Sequence, residues 1–319
     1  MKIPQHSIIW KLLLAVILLG TAAATWGAVA KIDYVWRWQR VPQYFVYQSE
    51  EVEKIAFDGQ VETLTPKGEL TKVLMVSATG EEQVIEIETH TLNVSLGEDL
   101  FEGDIIGSTF EWRPGPLLTG LWTTIWISAT ASVFALIIGL FTGLARVSNN
   151  YTLNGLAAVY IECIRGTPLL VQIFIAYFFL GTVFDLSRNV CGIGALALFA
   201  GAYTAEIVRA GIQAIPKGQM EAARSLGLSL PQAMIDIILP QAFKKILPPL
   251  SGQYISLIKD SSLVSVIAIT DLTKSGREII TSTFATFEVW LVVAAMYLVI
   301  TSVLSQLVYH LERRLAISD

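Results

Sequence analysis

The chain has 319 residues, of which 53% are hydrophobic and only 15% charged, and its net charge is −5. Soluble domains carry about 25% charged residues, so a mean hydropathy of +0.58 excludes an ordinary soluble enzyme, and no nucleic-acid partner is expected. Cys163 and Cys191 fall in or beside apolar segments and the three histidines lack ligand spacing, so neither a disulfide framework nor a metal site is expected.

The first apolar run, Ile8–Ala30, predicts a membrane anchor over residues 1–30. Ala22-Ala23-Ala24 would suit a signal peptidase, but the apolar stretch from Leu12 to Ala30 exceeds the 7–15 residues of a signal core. An uncleaved anchor is the expectation.

Residues 31–114 differ in kind, with seven basic and sixteen acidic side chains. Alternation in Lys72-Val73-Leu74-Met75-Val76 and Val84-Ile85-Glu86-Ile87-Glu88, separated by Ala78-Thr79-Gly80-Glu81-Glu82, predicts a β-hairpin. Leu96–Gly107 reads as a short strand flanked by turns. At about 80 residues the segment is large enough to fold alone as a small β-rich domain.

Residues 115–319 hold five further apolar runs: Leu117–Leu144, Leu153–Phe184, Ile193–Ile215, Tyr254–Ile269 and Phe287–Val308. A crossing needs about 20 residues. The second run would make roughly 48 Å of helix at 1.5 Å per residue, so Pro168 is expected to break it. Leu153–Gly166 would then lie at the cytoplasmic interface and Thr167–Phe184 would cross. Six crossings from an inside N-terminus put Arg146, Lys217, Arg224, Lys244, Lys245, Arg313 and Arg314 on the cytoplasmic side and residues 31–114 outside, as the positive-inside tendency prefers.

Between the fourth and fifth of the six crossings, the loop 216–249 reads as a helix, a tight turn at Gly227 and a second helix. Ser229 caps that second helix and Pro231 suits its first turn. Ile235, Ile238, Leu239 and Ala242 follow helical spacing and predict an apolar face.

The residues Glu221-Ala222-Ala223, then Gly227, then Ile237, Leu239 and Pro240 reproduce without a gap the signature loop of permease subunits in ATP-binding cassette importers. Arg165-Gly166-Thr167-Pro168-Leu169-Leu170-Val171-Gln172, Ala202–Arg209 and Ile258–Leu263 resemble the polar amino acid uptake family of such permeases. The resemblance spans about Leu117–Leu315. It implies an all-α polytopic protein of the bacterial inner membrane with a type I importer permease core, here with six transmembrane helices and a β-rich extracytoplasmic insert. Its implied partners are two ATPase subunits, a second permease (a copy or a homologue), an external solute-binding protein and an amino acid. Both termini would be cytoplasmic. Family members commonly have five spans, so the anchor and the insert depart from the pattern.

The resemblance further implies that the Glu-Ala-Ala loop docks on the ATPase, with Glu221 fixing the loop by hydrogen bonds or an ion pair. No Gly-Lys dipeptide occurs, so the phosphate loop is missing and ATP and magnesium belong to the partner. No catalytic residue is expected in this chain. Intramembrane charges are costly and mark wet cavities or helix pairing. Glu206 and Arg209, three apart on one helix, with Lys259, Asp260 and Gln172, are therefore candidates for a solute path or gate. Gln172 and Glu288 also suit helix–helix hydrogen bonding. Import of another small solute, or a scaffold that merely anchors the insert, are the competing readings.

Overall fold

The computed structural model describes residues 8–31 and 34–316. They divide into two units between Gln39 and Arg40. In the first, α1 (Ile8–Val29) is apolar on every side, and its stretch Trp10–Val29 is long and apolar enough to cross a membrane. Thr21 and Thr25 donate their hydroxyls to carbonyls four residues back, so these two hydroxyls are satisfied within the helix.

The second unit begins with six strands: β1 (Val46–Lys54), β2 (Gly59–Lys67), β3 (Leu70–Ser77), β4 (Glu82–Glu88), β5 (Asp99–Leu100) and β6 (Ile105–Pro114). β1 and β6 form an antiparallel ribbon, and the others a sheet of order β4-β3-β2-β5. The expected hairpin is β3–β4, with Val73 opposite Ile85 and Lys72 opposite Glu86. Alternation sorts its two faces. Val73, Met75, Ile85 and Ile87 join Val61 and Ile106 in a core, while Lys72 and Glu86 pair outside at 2.9 Å. The ribbon runs into the helices through Gly115, whose N–H donates to the Phe45 carbonyl at 2.6 Å. Tyr44, in the short 3-10 helix Trp38–Tyr44 that precedes β1, is buried in one cluster with Leu117, Leu272, Ala285 and Val289, so the segment leading into the strands is anchored on the helices.

The helices are α2 (Pro116–Val147), α3 (Tyr151–Arg165), α4 (Leu169–Phe174), α5 (Thr182–Phe184), α6 (Arg188–Gln213), α7 (Lys217–Ser225), α8 (Leu230–Ala233), α9 (Leu239–Asp260), α10 (Leu272–Thr283) and α11 (Thr286–Ala316). A π-helical stretch, Ile175–Gly181, joins α4 to α5. Among the described residues four helices are long and apolar enough to cross a membrane, or five if the bent pair α3 and α4–α5 counts as one. That pair turns through 102° at Gly166–Pro168, where the chain was expected to break.

One expectation is corrected here. Tyr254–Ile269 is not a single helix: α9 ends at Asp260, Ser261–Ile267 is a 3-10 helix, and Ala268 is left-handed at φ 63°. The Ser261 hydroxyl donates back to the Ile258 carbonyl at 2.8 Å, and β-branched Val264, Val266 and Ile267 weaken the α-helix further.

α2 and α6 run parallel in close contact. A Cβ on Gly139 would lie 2.4 Å from the Thr204 side chain, and one on Gly143 2.7 Å from Val208. Small residues let backbones approach this way in membrane bundles. Gly211 of α6 abuts Ile246 of α9, so the ends of α2 and α6 and the start of α9 lie at one end of the bundle. The opposite end holds the starts of α2 and α6, because Gly120 abuts Ser275 and Gly192 abuts Ile269. There Asp271 caps α10 through the Thr273 and Lys274 N–H groups, and burial pushes its carboxyl above the usual carboxylate range.

Candidate functional site

α7 ends in a Schellman motif built around Gly227. The Gly227 N–H donates to the Arg224 carbonyl (3.0 Å) and the Leu228 N–H to the Ala223 carbonyl (3.2 Å), with Gly227 at φ 87°. Two residues later the next helix starts with a capping box. The Gln232 N–H donates to the Ser229 hydroxyl and the Ser229 N–H to the Gln232 side chain. A firm stop followed at once by a firm start fixes the angle between two short helices. Leu226, next to the turn, is 84% exposed, and Leu230, Ile235 and Phe243 also face outward.

The signature residues divide by burial. Ala223 is buried and Ile237 and Leu239 are half-buried, whereas Glu221, Ala222, Gly227 and Pro240 are exposed. Ala223 thus ties α7 down while the others remain accessible. Among the described residues no side chain bonds the Glu221 carboxylate, so the loop is fixed by caps and backbone bonds instead of by Glu221. The apolar face also needs correction, because Ile235 is exposed. Met234–Ile238 is π-helical, with the Leu239 N–H donating to the Met234 carbonyl five residues back. The extra residue rotates Ile235 outward, and the buried positions become Ala233, Ile238, Ala242, Ile246 and Leu250.

Near the Gln213 end of α6 lies a charge network. The Arg209 guanidinium grips Glu206 with two bonds, Nε to Oε1 at 3.0 Å and Nη2 to Oε2 at 2.7 Å. Such bidentate pairs are strong and geometrically specific. Arg165, at the end of α3, approaches the same carboxylate at 3.6 Å and covers the Tyr203 ring at 5.1 Å. Arg165, Tyr203, Glu206, Ala210 and Lys245 line an open cavity of about 440 Å³. Lys245 donates to the Ala214 carbonyl at 2.9 Å, placing a cation on the end of α6 where the helix dipole favours it. The walls therefore hold both signs of charge, as a zwitterion would require.

Other candidates lie elsewhere. Gln172 Nε2 donates to the Ile164 carbonyl (2.6 Å) and to the Thr167 hydroxyl (2.8 Å), clamping the corner between α3 and α4. Lys259 is exposed and Asp260 half-buried, and they sit fourteen and fifteen residues beyond Lys245, about 21 Å along the helix. Leu257, just before them, clusters with Leu196 and Ala200, well up α6 from Glu206. The two charge pairs are thus not gathered in one site. Sequence reading missed Arg165, Tyr203 and Lys245 as cavity walls; an arginine directly before the Gly-Thr-Pro corner was the available signal.

Residues 116–317 match the family described as "Binding-protein-dependent transport system inner membrane component". The chain is 42% identical over 210 residues to the glutamine transport system permease protein GlnP of Escherichia coli K12, covering 65% of this chain and 96% of that one. It is 40% identical to the probable glutamine ABC transporter permease protein GlnM of Bacillus subtilis, covering 62% and 92%. Among solved structures, an amino acid ABC transporter aligns with a TM-score of 0.59 at 41% identity, over 62% of this chain and 94% of that chain. The MetNI methionine ABC transporter, at 20% identity and a TM-score of 0.57, shares the fold. With the loop, the bundle and these matches together, the chain belongs to the family of inner membrane components of binding-protein-dependent transport systems.

Proposed function

We propose that this chain is the permease subunit of an ATP-driven importer of polar amino acids and that the loop 216–249 docks on a separate ATPase. The observation that carries the reading is the rigid stop-start turn at Gly227, with Glu221 on the helix before it and Leu226 at that helix's C-cap left exposed. A second permease, itself or a homologue, completes the pathway, two ATPase subunits drive it with ATP and magnesium, and an external binding protein delivers the solute. Glutamine is the favoured solute, because relatives at 42% and 40% identity carry that name.

In this reading the bundle end with Arg146, Arg165, Lys217, Arg224 and Lys245 is cytoplasmic, in keeping with the positive-inside tendency. The chain crosses six times. α9 and its 3-10 extension supply the fifth crossing, since they lead from the Gly211 level to the Gly192 level of α6. Residues 31–114 then lie outside. Cysteine at Thr79 should react with an impermeant thiol reagent in cells whose outer barrier admits it, and cysteine at Gly218 only after the membrane is opened. Labelling in the reverse sense overturns the topology.

Glu206, held by Arg209 and Arg165, serves in this reading as the anionic wall of the solute path. In proteoliposomes holding the chain with its ATPase and binding protein, wild type should take up L-glutamine in an ATP-dependent manner. Glu206→Gln should raise the KM by about tenfold, the usual weight of one charge-assisted bond, with assembly intact. Loss of assembly would assign Glu206 to helix pairing, and unchanged uptake would remove it from both roles.

A further inference from the structure

At the opposite end of the bundle a second open cavity, about 410 Å³, lies between α2, the start of α6 and the segment Ala268–Thr270. Its walls include Thr123, Trp126, Arg188, Asn189 and Thr270. Arg188 is exposed there and donates through Nη1 to the Ala268 carbonyl at 3.4 Å. Among the described residues no carboxylate pairs with it, in contrast to Arg165 and Arg209, which share Glu206. Lys274 converges on the same Ala268 carbonyl at 3.3 Å and on the Thr270 hydroxyl at 3.0 Å, but Glu278 neutralises it at 3.1 Å.

Arg188 is also the first residue of α6, a 26-residue helix. A cation at the positive end of a helix dipole is unfavourable, and the surrounding hydroxyl and amide groups do not neutralise it. The carbonyl that anchors the guanidinium belongs to Ala268, a non-glycine residue at φ 63°, a backbone state that costs free energy and is retained where surrounding structure enforces it. An unneutralised guanidinium in an open, hydroxyl-lined cavity is complementary to an oxyanion, and its planar fork matches the two oxygens of a carboxylate.

We infer that this cavity binds a carboxylate, namely the α-carboxylate of the amino acid as it enters the permease. Arg188 makes the ionic contact, Thr123, Asn189 and Thr270 supply polar contacts, and Trp126 forms the apolar wall. The inference rests on the importer reading and its topology, in which this end faces outward. A carboxylate side chain of the docked binding protein has the same chemistry, and the test separates the two sources.

The purified complex is treated with phenylglyoxal, which modifies accessible arginines, and modification is mapped by peptide mass. Acetate and L-glutamine should each slow reaction at Arg188 without slowing it at Arg224, and L-glutaminamide should slow neither. Equal rates at Arg188 with and without carboxylates overturn the inference. In proteoliposomes, Arg188→Gln should raise the KM for L-glutamine about tenfold, as loss of one charge-assisted contact does. The half-saturating concentration of binding protein should stay unchanged, and Arg188→Lys should recover part of the loss. A rise confined to the binding-protein concentration would overturn the solute assignment and give the carboxylate to the docked protein. Modification of Arg188 only from the cytoplasmic side in sealed vesicles would instead sink the topology on which the inference stands.

Discussion

Gly139→Leu should abolish recovery of a folded, membrane-inserted chain. The Cβ alone would meet Thr204 Cβ and Cγ2 at 2.4 Å and the Gly201 carbonyl at 2.9 Å, in the tightest part of the α2–α6 contact. A real Cβ does not approach that closely, so the helices must separate, and the displaced contact runs on through Gly143 and Val208. Inserting bulk into a packed core costs about 1–3 kcal/mol and more where backbone must move. Here Thr204 Cβ and the Gly201 carbonyl are fixed by the helix backbone and cannot yield by a rotamer change. Bundle association in a membrane depends on such small-residue contacts because lipid supplies no hydrophobic drive between helices. Gly155→Leu is the matched control, since no atom lies within 4 Å of its Cβ position. Monodispersity in detergent and the midpoint of thermal unfolding measure the difference. A well-behaved Gly139→Leu protein with wild-type unfolding would refute the packing account.

Much of this architecture is written locally. The β3–β4 hairpin was legible because Ile85 and Ile87 alternate with Glu86 and Glu88, and a turn at Gly80 separates them from the apolar run Val73–Val76. Glu206 and Arg209 were legible as partners because three residues on a helix bring side chains together. Gly227 was legible for the same kind of reason: a helix followed by glycine and a capping serine is a stop and a restart. What failed was information carried by departures from ideal geometry. Ile235 was misread because a π turn inserts one residue into the helical count. Tyr254–Ile269 was misread because an apolar run does not distinguish an α-helix from a 3-10 helix. Arg165 was not seen as a neighbour of Glu206, since it comes from another element, α3, whose packing on α6 no local spacing reveals. The bend between α3 and α4 recruits Gln172 to clamp its corner.

Gly227→Val should leave the bundle intact and cut transport by about tenfold or more. No atom lies within 4 Å of the missing Cβ, so the substitution meets open space. The penalty is therefore conformational. At φ 87° an L-residue pays roughly 1–2 kcal/mol, and a β-branched one more. The chain escapes that cost by leaving the Schellman geometry, which releases the bonds from Gly227 to Arg224 and from Leu228 to Ala223. α7 and α8 then lose their fixed angle, while α2, α6 and α11 are untouched. Gly227→Asn should retain part of the activity, because asparagine tolerates the left-handed state better than valine.

The decisive comparison uses wild type and Gly227→Val, each reconstituted with the ATPase subunit and binding protein, with L-glutamine uptake and ATP hydrolysis followed in the same liposomes. The account predicts equal amounts of permease in the membrane. Uptake by Gly227→Val should fall by about tenfold or more, the factor that 1.4 kcal/mol commands, and hydrolysis should no longer respond to the binding protein. Wild-type uptake with wild-type stimulation of hydrolysis in Gly227→Val would contradict the claim that this loop couples the ATPase to the membrane helices.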